Sequence, residues 1–486
     1  MRQLTGLDAS FFNLETARTP MHIGSVAIYA PVEGRPAPRF TDIRDFMASR
    51  LHRGPALTER VVKLPFDLDR PYWIRDPDFH IERHLHHTAL PAPGGWAELF
   101  RLASRVFSAP LDEDQPLWEA YVVEGLQGIP GLPEGAYAIV SKVHHAAVDG
   151  LSGVEIMAAS HDLQPDQALE PAPRDGPAPE RVPTTAALLR RTLRRGPLRP
   201  VQAVQTAAEL ARGLGRGAAV LARDALSDRR QPTRFFAPRT RFNHVVSSRR
   251  TYGGVRLSLP DLQAVKASLP GAKLNDVILT MVGGALRRHL DALGELPDAP
   301  LLSMVPVSVR ADAHKRELGN RVNMMSVPLA TDVADPLERL AVIHDNQRAR
   351  KELLHAVGAE QLQTYSELFP SALAGLAARV YTGWGLANRF AQFFNTVITN
   401  VPGPRVPIYN AGAQMRTMFG LVPVFDGVGL GHVVNSYLDE LTVSFNACRV
   451  MLPDPDVYAA QLEDSYRELL ERSSSASTRS SSSSRR

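Results

Sequence analysis

The sequence His144-His145-Ala146-Ala147-Val148-Asp149-Gly150 decides how the rest of the chain is interpreted. The residues before it, Ala136 to Val143, are apolar and β-branched and predict a buried strand. The residues after it, Leu151 to Leu163, predict a helix, because Ser152 and Glu155 have capping-box spacing. Adjacent side chains of an extended chain point in opposite directions. One imidazole is therefore expected to face a substrate and the other to point inward.

Length and composition indicate a globular protein of two or three domains. The chain has 486 residues, of which 44% are hydrophobic and 22% charged, and this is too long for one ordinary core. A single cysteine, Cys448, rules out an internal disulfide and fits a reducing compartment. The sequence lacks a signal-peptide pattern and any apolar run of about 18–20 residues, so a cytoplasmic location without a membrane span is expected.

Arginine is concentrated in two segments. Residues 171–240 contain fourteen arginines against five acidic residues, and the tail from Arg472 adds four arginines and no acid. A basic segment broken by prolines fits contact with anionic lipid or nucleic acid, and equally a solvated linker. These shifts in composition predict four parts, which are a first half (1–164), a Pro/Arg-rich helical connector (165–241), a second half (242–471) and a disordered Ser/Arg tail (472–486).

Two further features of the first half are a cluster of histidines and a tryptophan. In His84-Leu85-His86-His87, His84 and His86 alternate onto one strand face, but no cysteine or well-spaced carboxylate follows them. Packing or lining a channel is therefore favoured over metal binding. Trp118 begins a predicted strand after a turn bounded by prolines, and a buried aromatic anchor beside the motif strand is the favoured interpretation.

In the second half, one helix is predicted to begin within Ala272-Lys273-Leu274-Asn275-Asp276-Val277. Asn275 is a natural N-cap, and Asp276 suits the positive end of the helix dipole. Gly283-Gly284 in the middle of this helix is unfavourable by about 1 kcal/mol per glycine. That cost is explained most simply if another element packs very close to the helix there.

Several catalytic classes are disfavoured by the motifs that the sequence lacks. We find no Gly-rich phosphate loop, no zinc-finger spacing and no G-x-S-x-G elbow. What remains is a histidine able to act as a general base without an obvious protein nucleophile. This combination favours direct transfer, in which the base removes a proton from an acceptor as the acceptor attacks a bound electrophile.

Residues 144–150 match the HHxxxDG motif of the coenzyme A-dependent acyltransferase superfamily, which includes chloramphenicol acetyltransferases and peptide-synthetase condensation domains. With the flanking motifs, the chain resembles the bacterial bifunctional wax ester synthase/diacylglycerol acyltransferase family from Leu4 to about Leu470. The acidic turn Glu113-Asp114-Gln115 departs from the basic residues that the family often has there. The flanking motifs are Leu7 to Phe12, Pro20-Met21-His22, Pro110-Leu111-Asp112, Pro116-Leu117-Trp118-Glu119, Asn275-Asp276, Pro306 to Arg310 and Asn400 to Pro404.

The resemblance implies an α/β fold of two chloramphenicol-acetyltransferase-like halves, with mixed sheets flanked by helices, that meet along a tunnel. Acyl-CoA would enter as a substrate from one side, with no resident cofactor or metal, and a diacylglycerol or long-chain alcohol from the other. His145 would be the general base and His144 an inward-facing structural partner. The acceptors are nearly insoluble, so the resemblance also implies peripheral contact with an inner membrane or lipid inclusions, with the arginine-rich connector as the candidate surface.

The resemblance implies roles for five further residues. Asp149 is expected to be structural, with Arg310 as its partner, and Gly150 to leave room for substrate. Asn275 is expected either to line the tunnel near the reacting carbonyl or to act as an N-cap only, and Asp276 to cap the helix. Two other functions stay open, namely transfer to a different hydroxyl acceptor and a catalytically weak protein that binds lipid inclusions.

Overall fold

The computed structural model describes residues 1–65, 68–148, 160–166, 169, 180–195, 236–308, 322–357, 385–388 and 392–483. Two six-stranded mixed sheets and a small three-stranded sheet are flanked by helices, which confirms the predicted α/β class. The helices are α1 (Gly6–Leu14), α2 (Phe40–Arg50), α3 (Trp96–Ser108), α4 (His145–Val148), α5 (Thr185–Arg195), α6 (Leu259–Ala267), α7 (Leu274–Ala292), α8 (Pro336–Val357) and α9 (Pro455–Ser483). The strands are β1 (Arg2–Gln3), β2 (His22–Ala30), β3 (Glu59–Val62), β4 (Tyr72–Arg75), β5 (Leu85–Ala89), β6 (Trp118–Glu124), β7 (Tyr137–His144), β8 (Arg250–Ser258), β9 (Leu302–Ser308), β10 (Val322–Pro328), β11 (Thr396–Pro402), β12 (Tyr409–Asn410), β13 (Ala413–Leu421), β14 (Leu430–Tyr437) and β15 (Glu440–Cys448).

The first large sheet has the order β12-β13-β2-β7-β6-β5 and carries the motif strand β7 near its centre. β5 and β6 run parallel, while the other neighbours are antiparallel. Side chains alternate across β7, so Ala138 and Val140 belong to the core under α3, whereas Tyr137 and Ile139 belong to the core under α2. Burial on both faces explains the β-branched, apolar composition of the strand.

The second large sheet has the order β10-β9-β11-β14-β15-β8 and packs against α7 in the largest hydrophobic core. A Cβ atom at Gly283 would lie 2.6 Å from the carbonyl oxygen of Leu329, and one at Gly284 would lie 2.2 Å from Oγ of Ser465. The predicted close approach at the two glycines is therefore confirmed.

A strand from late in the chain completes the first sheet. β13 pairs with β2, with Phe419 opposite Val26 and Leu421 opposite Gly24. The predicted boundary between halves at 242 stays a prediction, and the pairing shows that the sheet carrying the motif depends on residues beyond it. The two large sheets are further joined where Tyr252 of β8 packs into the core under α3.

The predicted disorder of the tail from Arg472 is wrong for the residues that the structure describes. α9 continues to Ser483, and Ser473 is buried. A helix whose buried face is anchored by Tyr458, Leu462 and Leu469 adds further residues at low cost, because nucleation has already occurred. Hydroxyls also bond back to the helix, as when Ser474 donates to the carbonyl of Leu470. Among the described residues, no helix is long and apolar enough to cross a membrane.

The predicted helix Leu151–Leu163 falls largely outside the described residues, and so does most of the connector (165–241). Within the connector, the described residues Thr185–Arg195 form the helix α5.

Candidate active site

The motif histidines stand at the junction of β7 and α4, and backbone hydrogen bonds fix both of them. The amide of His144 donates to the carbonyl of Leu117 (2.9 Å), and the amide of His145 donates to the carbonyl of Met21 (2.8 Å). His144 is the last residue of β7 and lies opposite His22 of β2. The junction is therefore held by its two neighbouring strands, β2 and β6.

His144 points inward and both of its ring nitrogens are engaged. Its side chain is 1% exposed, and its ring stacks on Phe12 at 4.2 Å between centroids. Nδ1 accepts a hydrogen bond from the amide of Ala146 (3.2 Å), so the proton is on Nε2, which donates to Oε2 of Glu15 (3.1 Å). No nitrogen lone pair of this ring is left for a substrate.

Glu15 directly follows α1 and connects three parts of the site. While Oε2 accepts from His144, Oε1 accepts from the amide of Met21 (3.1 Å), the residue whose carbonyl receives the amide of His145. Burial raises the pKa of the Glu15 carboxyl, but the hydrogen bonds from the His144 ring and the Met21 amide together hold it below its ordinary value. Sequence reasoning missed Glu15, since the 129 positions that separate it from His144 leave no periodic signal.

His145 presents a different environment. Its ring stacks on Phe11 with centroids 3.9 Å apart. Burial, together with the neighbouring His144, lowers the pKa of His145 to about 4, whereas Asp8 acts in the opposite direction. The imidazole is thus neutral at neutral pH, because its pKa lies below the ordinary value of a histidine. A neutral ring has the lone pair that a general base requires.

Asp8 is a buried carboxylate on α1, one turn before Phe11. Oδ2 accepts from the hydroxyl of Thr5 (2.7 Å), and Oδ1 has no hydrogen-bond partner among the described residues. The charge of Asp8 favours the protonated form of His145. Sequence reasoning assigned no role to Asp8, although it falls within the quoted Leu7–Phe12 motif.

A cavity runs along the sheet face under α2 and reaches the motif. Val143 and Ala147, which lie two residues before and after His145, both contribute to its wall. Most of the wall is apolar, and the remainder of its lining is formed by Ser25, Ala27, Tyr29, Met47, Arg50, Leu51, Ala56, Leu57, Trp118, Glu119, Ala120, Ile139, Ser141, Lys142, Ser160, His161, Asn410 and Met418. The motif therefore opens onto a chamber suited to a hydrocarbon chain.

Trp118 combines burial with contact to this chamber. It is 5% exposed, donates from Nε1 to the carbonyl of Leu57 (2.9 Å) and forms part of the cavity wall. His84 stacks on Trp118 and bonds to its carbonyl through Nδ1 (2.9 Å), so His84 has a packing role. Among the described residues, no cluster of three or more His, Cys, Asp or Glu side chains could hold a metal ion.

The remaining sequence candidates do not join the histidines in the described structure. Asp149, Gly150 and Arg310 lie outside the described residues. The N-cap of α7 is Lys273, so the interpretation of Asn275 as the N-cap is wrong. Asp276 fulfils the capping role, because its Oδ2 accepts from the Lys273 amide (2.9 Å).

Further contacts bury Asp276 in the second half. Nδ1 of His344 lies 2.8 Å from its Oδ2, and Nε2 of Gln347 donates to its Oδ1 (2.7 Å). Neither Asp276 nor Asn275 contributes to the cavity beside the motif. Both are thus placed by the capping of α7 and its packing against α8.

An α/β fold of two mixed sheets, with a histidine pair where a strand meets a helix, fits an acyltransferase type of architecture. Residues 4–278 match the family described as the wax ester synthase/diacylglycerol acyltransferase catalytic domain, and residues 318–470 match the WS/DGAT C-terminal domain. The chain belongs to this family of acyltransferases.

Individual proteins agree with this assignment. The chain is 31% identical over 474 residues to the O-acyltransferase WSD of Acinetobacter baylyi, covering 96% of each. It is 34% identical over 466 residues to a Mycobacterium tuberculosis protein provisionally named as a diacylglycerol O-acyltransferase, covering 96% of this chain and 99% of that protein.

Among solved structures, the wax ester synthase/diacylglycerol acyltransferase of Marinobacter aquaeolei VT8 matches with a TM-score of 0.69 and 26% identity, covering 98% of this chain and all of that one. The first condensation domain of the CDA synthetase matches with a TM-score of 0.54 at 14% identity, covering 97% of this chain and 96% of that one. The second likeness concerns the fold alone and confirms the predicted architecture.

Proposed function

We propose that the protein transfers a long-chain acyl group from acyl-CoA to the hydroxyl of a diacylglycerol or a long-chain alcohol, with His145 as the general base. The observation that carries the proposal is a neutral imidazole, His145, flanked in the chain by Val143 and Ala147 of an apolar chamber wall and next to a second histidine with no free lone pair. The products are a triacylglycerol or a wax ester and free coenzyme A.

The reaction needs one proton transfer in each direction. His145 accepts the proton of the acceptor hydroxyl as the oxygen attacks the thioester carbon, which forms the new C–O bond. The C–S bond then breaks, and the departing thiolate takes the proton back from the imidazolium. The protein supplies no nucleophile of its own, so the acyl group passes directly between the substrates.

Electrostatics around His145 suit this cycle. Burial keeps the ring neutral before the reaction, while the charge of Asp8 stabilises the imidazolium that forms during it. Phe11 holds the ring by stacking, and the pair of His144 and Glu15 fixes the backbone turn from which His145 projects. Asp149 and Gly150 keep the roles proposed from the motif, respectively to hold the turn and to leave space for substrate.

The acceptors are nearly insoluble in water, so they have to be drawn from a lipid surface. α5 places Arg190 and Arg191 within an arginine-rich helix at the start of the connector. We retain this connector as the surface for peripheral contact with anionic lipid. Loss of liposome co-sedimentation on deletion of residues 171–230, or at high salt, is the expected result, and binding unaffected by both would refute the idea.

The assay of the proposed function presents purified protein with palmitoyl-CoA and either dioleoylglycerol or hexadecanol. Free thiol and the lipid ester are followed together, and their amounts should rise in equal proportion. His145→Ala is expected to form neither product above background, whereas His87→Ala, an exposed histidine on β5 paired with Glu124, should match the unaltered protein. Absence of ester with both acceptors would refute the proposed function.

A further inference from the structure

The wall of the cavity beside the motif is mainly apolar but carries charged groups in two places. Lys142 and Glu119, beside Val143, pair with each other, whereas Arg50 is paired with Asp162. On the sheet that forms the floor, Tyr29 lies opposite Tyr137, six residues along β7 from Val143. Tyr29 is thus at the end of the floor farthest from the histidines, and it bonds to His161, the residue before Asp162.

Arg50, the last residue of α2, is the most unusual of these groups. It is 2% exposed; its Nη2 lies 2.6 Å from Oδ1 of Asp162, and its guanidinium lies over the ring of Phe46. All three guanidinium nitrogens are buried, and none of them has a hydrogen-bond acceptor among the described residues, so the contact with Asp162 is an ion pair only. A buried donor left without an acceptor destabilises a fold by about 1–3 kcal/mol.

The neighbouring polar groups bond to one another. The hydroxyl of Tyr29 lies 2.8 Å from Nε2 of His161, whose Nδ1 lies 3.0 Å from the hydroxyl of Ser160. Asn410 accepts a hydrogen bond from the hydroxyl of Tyr137. Arg50 therefore contributes donors to the chamber that these groups do not use.

Charge decides what kind of acceptor fits Arg50. Its positive charge is already balanced by Asp162 at 2.6 Å. A second carboxylate would leave an unbalanced negative charge in a buried, mainly apolar place. A neutral oxygen, as in a hydroxyl or a ketone, accepts the free N–H groups without that penalty.

The dimensions of the floor set the length of a suitable ligand. From Val143 to Tyr137 is six residues of β7, or about 20 Å at roughly 3.3 Å per residue. Carbon–carbon bonds of about 1.5 Å at angles near 111° advance an extended chain by about 1.25 Å each. A chain of about sixteen bonds therefore spans the floor.

We propose that the chamber selects acyl chains that carry a neutral oxygen, a hydroxyl or a ketone, about sixteen bonds from the carbonyl carbon, and that Arg50 donates to that oxygen. The inference rests on the proposed function only in placing the carbonyl end beside His145. It adds the substrate class, which is an oxygenated long-chain acyl group in preference to a plain one.

The binding test needs no turnover, so it is separate from the assay of the transfer reaction. Methyl hexadecanoate and methyl 16-hydroxyhexadecanoate are titrated into the protein, with Trp118 emission as the readout because that ring lines the chamber. Comparison with the variant Trp118→Phe shows which part of the emission comes from Trp118. The hydroxylated ester should bind about tenfold more tightly, which corresponds to about 1.4 kcal/mol for one hydrogen bond to a charged donor.

Variants then assign the preference to Arg50. The double variant Arg50→Met/Asp162→Asn removes both charges and should bind the two esters equally. Arg50→Lys keeps the charge without the guanidinium donors and should also lose most of the preference. Arg44→Met, at a partly exposed position on the same helix, should retain it. Equal binding by the unaltered protein, or a preference that survives in the double variant, would overturn the proposal.

Discussion

Replacing Glu15 with glutamine tests the account of how the histidine pair is held. The carboxylate uses one oxygen for the His144 ring and the other for the Met21 amide. The amide side chain of glutamine has a single oxygen. Its NH₂ group would therefore face either the N–H of the His144 ring or the amide N–H of Met21, both of which are donors. His144 cannot change its tautomer to adapt, since its Nδ1 already accepts from the Ala146 amide.

The loss can be estimated from the type of bond removed. A hydrogen bond to a charged group stabilises a fold by about 1.5–3 kcal/mol, so we expect the free energy of unfolding of Glu15→Gln to fall by about 2 kcal/mol. Because the turn also positions His145, kcat/KM should fall by about 10- to 100-fold. Urea denaturation and the palmitoyl-CoA assay measure the two effects.

The same substitution has a signature in pH. The pKa of Glu15 is depressed in the folded protein, so its stabilisation is present above the unfolded pKa and is lost as pH falls through the lower folded value. In Glu15→Gln this acid-dependent part of the stability should disappear. Glu33→Gln, at an exposed position, is the matched control. A change in stability below about 0.5 kcal/mol together with unchanged kcat/KM would refute the reasoning.

Three further predictions concern the base, the chamber and α7. Since the pKa of His145 is about 4, kcat/KM should stay level from pH 8 to about 5 and decrease only below that; a midpoint near 6.5 in a pH titration would contradict this. Ile139→Trp places a larger side chain in the wall of the chamber. It should lower turnover of palmitoyl-CoA about tenfold or more and leave turnover of octanoyl-CoA little affected. Equal losses for both donors would argue against the chamber. Gly284→Ala places a Cβ 2.2 Å from Oγ of Ser465 and should destabilise the fold by about 1–3 kcal/mol in urea denaturation; an unchanged midpoint would show that the neighbours yield easily.

The fold class and most elements could be predicted because their signals are local. The apolar residues of β7 and α3 recur with the periods of a strand and a helix, respectively. The Gly283-Gly284 pair predicted that another element packs close to its helix. The entry of β13 into the first sheet could not be predicted, because pairing between residues nearly 400 positions apart leaves no mark in either strand. The prediction of a disordered tail from Arg472 was wrong for another reason. The composition of the tail does not show that the tail continues a preceding helix, α9.

The candidate site was predicted less completely. The histidines could be found because their motif is contiguous, whereas Glu15 and Asp8 act on them from α1 and its end. The low pKa of His145 could not be predicted from the sequence, because burial is a property of the assembled core. The N-cap of α7 was placed two residues late, as Asn275 is a good capping residue and Lys273 is not, yet the carboxylate of Asp276 closes the turn.

The central claim is that His145 is the general base, and its most direct test is the rate of ester formation by His145→Ala at saturating palmitoyl-CoA and hexadecanol. General base catalysis contributes about 10²- to 10⁴-fold, so we predict a loss of at least a hundredfold with an unchanged circular dichroism spectrum. A rate within about threefold of the unaltered protein, far less than that contribution, would contradict the claim.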